Sequence, residues 1–331
     1  MTQKNQLKSL LLQNFFVNVK NKNSFYLGSD MSYLMQLDKQ IQSIKKTKKI
    51  THAMRLIAMS LYARIAKIQK SAKEYQKKYH ALLNLISEND PDWKNPITFV
   101  NDPFNKRPLI ILISSIKGLC GGFNENILSY FDRFIETSQY QTPLFIAIGR
   151  RANSHLEQFI KKTARGSIIR SYPEISSHSI DETINDLTQV ILQLSPRYSS
   201  MIIYSTKFQN FFNQRPTYTT IVKTHEQQKD RRITSHKQTE QQDDATDIIW
   251  EHSARDILNI MGASFLQSTI TPLIIDSLVA EQSARFLAME HATSNAEKYI
   301  EKLELQYNKL RQESITKELS EITSIMTKSS E

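Results

Sequence analysis

The stretch "PLIILISSIKGLCGGFNENILSYFDRFIETS", residues 108–138, reads as a buried strand, a glycine turn and a helix. "PLIILISS" (108–115) is a continuous apolar run of strand length, and "GFNENILSYFDRFIETS" (122–138) has helical periodicity with Asn124 or Asn126 near its start. Three of the seven glycines, Gly118, Gly121 and Gly122, fall in the turn between them. A glycine-rich turn leading from strand to helix is where many proteins hold a phosphate. The spacing argues against that here. GxGxxG is absent, GxxxxGK[ST] is absent, and Lys117 precedes the glycines instead of following them. The turn is therefore read as structural, needing backbone freedom and close packing.

Working outward, "PLFIAIG" (143–149) and "SMIIYSTKF" (200–208) read as further strands, and 150–163 and 180–194 as helices. This alternation predicts a small α/β domain with a largely parallel sheet over 91–223. Residues 224–247 are polar and aperiodic and read as a solvated loop or insertion.

The flanks differ from this middle. All nine prolines lie between Pro91 and Pro272, and 33–90 and 273–331 contain neither Pro nor Gly. The first flank repeats Leu34, Leu37, Ile41, Ile44, then Ile50, Met54, Ile57, Leu61, Ile65, Ile68, Ala72, Tyr75, Tyr79 and Leu82, turning polar around Thr47 and Lys48. The last gives Ile274, Leu278, Ala284, Ala288, Ala292, Tyr299, Leu303, Leu310, Ile315, Leu319, Ile322 and Met326, and a helix from about Ile248 to Met261 leads into it. The first flank is basic and the last rich in glutamate, so the two are expected to pair, antiparallel if the middle joins their far ends. A helix of about 55 residues would be roughly 80 Å long, so part of the pair is expected to protrude. The division expected is 1–32 as a poorly ordered extension, 33–90 as one coiled-coil helix, 91–223 as the α/β domain, 224–247 as a loop and 248–331 as the other coiled-coil strand.

Composition narrows the function classes. The 331-residue chain has a net charge of +10 and one cysteine, Cys120, which excludes an internal disulfide and a cysteine-rich zinc site. No stretch approaches the roughly 20 apolar residues of a membrane span. Residues 1–29 carry lysines but no acid and no arginine, which suits an extension, or sequence upstream of a start at Met31 or Met35, better than a transit peptide. Cys120 reads as a small buried residue, and the scattered histidines suggest no metal site, with His52 and His291 on the surface or seam of their helices. No cofactor is expected. The charge leaves two rival readings open, a basic coiled-coil protein that binds nucleic acid and a nucleotide-using α/β enzyme, but neither phosphate-holding nor base-reading motifs accompany it.

Three stretches resemble one family. "IKKTKKITHAMRLIAMS" (44–60), "SSIKGLCGGFNENI" (114–127) and "EQSARFLAMEHATSNAEKYIEKLELQYNKLRQESITKELSEI" (281–322) are similar, in that order, to the signatures of the gamma subunit of F-type ATP synthases. The resemblance implies an antiparallel coiled coil with a central Rossmann-like α/β domain. It also implies a non-catalytic rotor shaft coupling proton-driven rotation of the c-ring to ATP synthesis on the beta subunits. The implied partners are the alpha and beta subunits, the epsilon subunit and the membrane c-ring, with no nucleic acid and no direct membrane insertion. The implied location is peripheral, on the cytoplasmic face of a bacterial inner membrane, or on the matrix side of a mitochondrial one. Carried over by motif, Met54, Arg285, Arg311, Gln312, Thr316 and Glu318 are expected to contact beta, and Lys207 and Phe208 to lie near the foot. The resemblance also implies that the glycine turn, Gly118, Gly121 and Gly122, belongs to the α/β domain and binds no nucleotide. His52 and Arg55 stand where relatives often carry a lysine and an acid, and Ala296 and Glu297 where some have Gly-Gly.

Overall fold

The computed structural model describes residues 27–88, 107–138, 140, 142–175, 180–194, 197–222 and 253–328. Residues 1–26 and the polar stretch 224–247 lie outside these. In order, the elements are α1 (Leu27–Ser87), β1 (Pro108–Ile113), α2 (Phe123–Thr137), β2 (Leu144–Ile148), α3 (Arg150–Thr163), β3 (Ser167–Tyr172), α4 (Ile180–Leu194), β4 (Ser200–Asn210), β5 (Asn213–Val222) and α5 (Ala254–Lys328). The chain divides into two compact units, one of Thr51–Ala292 and one of Met1–Ile50 with Thr293–Glu331 in their described parts.

In the larger unit a five-stranded sheet has the order β3-β2-β1-β4-β5. The first four strands are parallel and β5 returns antiparallel to β4, so the sheet is mixed. β1 and β2 are buried along their whole length because helices cover both faces. On one face Ile110, Leu112, Phe145, Ala147 and Tyr204 meet Ile127, Phe131 and Ile135 of α2 and Ala152 and Leu156 of α3. On the other, Ile111, Ile146 and Ile203 meet α4 through Ile184, Leu187 and Ile191, and α5 through Leu266, Ile270, Ile274 and Val279.

β3 and β5 escape the sequence reading because both are edge strands. β3, "SIIRSY", is mostly exposed and lacks an apolar run. β5 carries Pro216, tolerated where no further strand needs its missing donor.

The helix expected from about Ile248 to Met261 is continuous with the last flank from Ala254 on, and residues 248–252 lie outside the described residues. α5 runs unbroken through Gly262 and Pro272 for 75 residues. A mid-helix proline costs about 3 kcal/mol, and burial of the flanking Ile270, Ile274 and Ile275 against the sheet outweighs it. By length and composition α5 could cross a membrane, yet half of the qualifying window is buried inside this chain.

The α1 seam also differs from the expected one. Positions 37, 41, 44, 48, 51, 55, 58, 62, 65, 69, 72, 76, 79, 83 and 86 are buried or half-buried, in unbroken alternating steps of four and three. Ile65, Ala72 and Tyr79 lie on this line. Ile50, Ile57, Ile68, Tyr75 and Leu82 do not, and are exposed. They belong to a second apolar row beside the seam, whereas the seam itself carries Lys48, Thr51, Arg55, Gln69 and Gln76. Following hydrophobicity from Ile44 therefore moves onto the wrong row. On α5, Ile315 and Leu319 are likewise exposed, not seam residues; the side chains of Ile322 and Met326 lie outside the described set.

The polar seam residues find acids on α5, which makes the pairing antiparallel. In the smaller unit Lys48 Nζ meets Glu297 at 2.6 Å and Lys45 meets Glu304 at 2.7 Å, around an apolar cluster of Leu37, Ile41, Ile300 and Leu303. In the larger unit Arg55 pairs with Glu290, Gln69 with Asp276, and the Tyr79 hydroxyl donates to the Met261 carbonyl. Arg55 and Glu297, two departures from the family pattern, are thus both used in pairs between the helices.

Candidate functional site

The order β3-β2-β1-β4-β5 reverses direction at β1, so the carboxyl ends of β1 and β4 form the crevice where doubly wound folds take ligands. The glycine turn sits at that crevice. Its contents answer whether it can hold a phosphate.

The crevice is filled by α5. Cys120 and Phe123 are buried against Ala280, with Ala284 and Phe208 beside them. Glu281, 2% exposed, accepts from the Ile116 amide at 3.4 Å. The Ser115 amide is taken by Asn124 Oδ1 at 3.0 Å. Arg285 donates to the carbonyls of Lys117 (2.9 Å) and Gly118 (3.3 Å), to Gln282 (2.8 Å) and to Glu281 (2.5 Å). A phosphate cradle aims N–H groups at an external anion. Here an internal carboxylate accepts one such N–H, and carbonyl oxygens face an internal cation. The turn is a clamp between the sheet and α5.

Arg285 therefore requires a correction as a beta-contact residue. It is 6% exposed and its guanidinium is spent on four partners within the chain. Burial raises the Glu281 carboxyl above the usual range against the opposing pull of Arg285. Burial likewise pushes the Cys120 thiol up, which leaves it a poor nucleophile.

The glycines of the turn differ in need. Gly121 has φ +58°, the left-handed region, and Leu119 shares that region at +63°. Gly122 has φ −78° and an added Cβ would meet nothing nearer than 3.8 Å, while at Gly118 it would meet nothing within 4 Å. Close approaches lie instead at Gly149, with φ +94°, where a Cβ would fall 2.6 Å from the Ser114 carbonyl oxygen, and at Gly166 beside the Pro143 carbonyl. We expect Gly122→Ala to leave the thermal midpoint within a degree or two. Gly149→Ala should cost about 3 kcal/mol or more through strain and overpacking. Equal midpoints for the two variants would refute this placement.

Of the other expected site residues, Met54 is half-buried. Arg311, Gln312, Thr316 and Glu318 are all exposed on α5. The Arg311 guanidinium has no partner among the described residues, Thr316 Oγ1 donates to the Gln312 carbonyl at 2.9 Å, and Glu318 accepts from Ser314 at 3.3 Å. Lys207 is exposed, and Phe208 is tilted against Tyr62 with centroids 5.9 Å apart. Within the larger unit that is the part of α1 near Thr51, far along the helix from Ser87, and beside the glycine turn.

The fold agrees with comparison to known proteins. The family model described as ATP synthase matches residues 33–327. An ATP synthase gamma chain from Desulforudis audaxviator is 30% identical, over 88% of this chain and 97% of its own. The chain belongs to the ATP synthase gamma family. The gamma chain of Burkholderia pseudomallei is also 30% identical, covering 88% and 98%. Among solved structures, a chain of the Euglena gracilis mitochondrial ATP synthase (OSCP/F1/c-ring, rotational state 3) superposes with a TM-score of 0.55 at 14% identity, covering 89% and 94%. A rotor chain of the same enzyme gives 0.52 at 12%, covering 86% and 99%. A gamma chain is the rotor shaft of its complex and a non-catalytic subunit, and the F1 part of the complex that holds it is peripheral to a membrane.

Proposed function

We propose that this chain receives rotation from a membrane c-ring and delivers it to three catalytic beta subunits within an alpha–beta ring, with an epsilon subunit bound near its base. The observation that carries this is the antiparallel pairing of α1 and α5 through a heptad seam with specific ion pairs, joined to an α/β domain whose ligand crevice is closed by the shaft helix itself. A paired helix resists bending and slip, and each orientation of an asymmetric shaft can favour a different beta conformation only through differential contact. The bacterial relatives favour the cytoplasmic face of a bacterial inner membrane. The Euglena neighbours favour a matrix-side alternative.

Arg311 and Gln312, exposed and uncommitted, with Thr316 and Glu318 on the following turn and Met54 on α1, are the proposed contacts to beta. A hydrogen bond to a charged group contributes roughly 1.5–3 kcal/mol, so a contact made in one orientation only shifts beta populations by about tenfold or more. Arg311→Ala with Gln312→Ala should lower steady-state ATP turnover by about that factor. Helix content and assembly should be unchanged, because neither side chain lies in the seam. The experiment is co-purification of tagged chain with alpha and beta subunits, followed by ATPase assay. Failure to co-purify refutes the shaft reading, and unchanged turnover removes these two residues from it.

A further inference from the structure

α5 carries one polar node inside the apolar core beneath the sheet. Asp276 is 8% exposed, and its Oδ1 accepts from Gln69 Nε2 at 2.6 Å and pairs with Lys73 Nζ at 2.8 Å, both on α1. The next residue, Ser277, is 3% exposed and turns the other way. Its hydroxyl accepts from the Thr206 amide of β4 at 2.9 Å. That amide needs a partner because β4 outruns its neighbour. The β1–β4 ladder ends at the Leu112–Tyr204 pair, so Thr206 has no carbonyl on that side. Two adjacent residues of α5 thus bind α1 with one and the central sheet with the other, surrounded by Ile65, Ile203, Ile274, Ile275 and Val279.

We propose that Gln69, Lys73, Asp276, Ser277 and Thr206 form the axial lock of the shaft: the positioning residues that fix α1, α5 and the α/β domain in one register so that torque applied to the domain moves both helices without slip. The inference rests on the rotor reading above. Its physical basis is the asymmetry of buried polar groups. Apolar seams tolerate sliding by a turn, since one aliphatic residue replaces another. A buried carboxylate does not tolerate it, because a one-turn shift sets Asp276 opposite Ile65 or Ala72 in place of Gln69. The Thr206 amide imposes the same demand on the sheet side, where a shift of α5 leaves a buried donor unpaired. The lock is repeated two heptads along both helices by the half-buried Arg55–Glu290 pair, which limits rotation of one helix about the other at a second level.

The test uses the full chain assembled into a proton-pumping complex in vesicles. Gln69→Leu with Asp276→Leu replaces the node by apolar groups of similar volume, so assembly and thermal midpoint should be preserved. ATP hydrolysis should stay within twofold of the parent, while ATP-driven proton pumping and proton-driven synthesis per unit of hydrolysis fall several-fold. Asp276→Asn keeps an acceptor for Gln69 and should retain most of the coupling ratio. Ser277→Ala should speed amide hydrogen exchange at Thr206 and lower the ratio to a lesser degree. If the leucine pair fails to assemble, the Ser277→Ala and Asp276→Asn ratios decide. A parent-like ratio in Ser277→Ala despite faster exchange overturns the lock, as does a parent-like ratio in an assembled leucine pair. Failure of the parent chain itself to assemble strikes the rotor reading, not the lock.

Discussion

Ile65→Asp is expected to destabilise the larger unit by about 3–5 kcal/mol, the loss typical of an uncompensated buried charge. Ile65 is 4% exposed and lies in the core cluster with Ile111 and Ile203 of the sheet and Ile274 of α5. Asp removes the aliphatic burial, about 2 kcal/mol, and offers a carboxylate no polar partner in that cluster. Against a total stability of roughly 5–15 kcal/mol for a domain, this is a large fraction. The control is Ile57→Asp, eight residues earlier on the same helix. Hydrophobic spacing alone gives Ile57 the same standing as Ile65, but it is 59% exposed. It should change stability by no more than about 0.5 kcal/mol. Chemical denaturation followed by far-ultraviolet dichroism separates the two. Similar losses at both positions would mean that the seam runs along the apolar row after all.

That contrast shows what the sequence makes legible. The α/β middle was readable because β1 and β2 are covered on both faces, and double burial leaves a continuous apolar run. α3 and α4 were readable because each buries one stripe only. The edge strands β3 and β5 were not, since half-solvated strands of mixed polarity resemble loops. The helix pair was readable as a pair but not in its register. Its seam alternates apolar or small residues with Lys48, Arg55 and Gln69, whose partners lie more than two hundred positions away in sequence. A polar residue at a core position is indistinguishable from a surface one until its acid is found. Arg285 was carried over by motif as a partner contact, and no local pattern marks it as buried. Only the tertiary fold shows Lys117 and Gly118 presenting carbonyls to it. Gly149 was missed for a related reason, since the Ser114 oxygen that excludes a side chain there comes from another strand.

Arg285→Ala should be the most damaging single change in the glycine-turn clamp, at about 3–5 kcal/mol, because it breaks a buried pair by removing one partner. Four groups lose their complement together. The Lys117 and Gly118 carbonyls lose their donor, Gln282 loses its charge-assisted bond, and Glu281 is left as a carboxylate 2% exposed with the Ile116 and Lys117 amides but no cation. The loss should depend on pH, with a sign fixed by Glu281. Its folded pKa is already raised above the ordinary value of 4.5, with burial as the largest cause and Arg285 working in the opposite direction. A raised folded pKa means that the stability associated with the neutral carboxyl is complete below the unfolded value. It is lost as pH rises through the folded one. Removing Arg285 removes the main downward influence, so the folded pKa climbs further and the penalty at neutral pH grows. Acidification towards the ordinary carboxylate range neutralises Glu281 and should therefore narrow the gap between variant and parent. Arg285→Lys keeps the charge but not the planar fork that serves two carbonyls and a carboxylate at once, and should fall between the two. Glu281→Gln in the Arg285→Ala background should recover part of the stability at neutral pH and remove its pH dependence. Denaturation midpoints measured from pH 4 to pH 8 decide the matter: a gap that is constant over that range, or that widens on acidification, would show that the arginine holds the turn by packing and not by compensating a buried carboxylate.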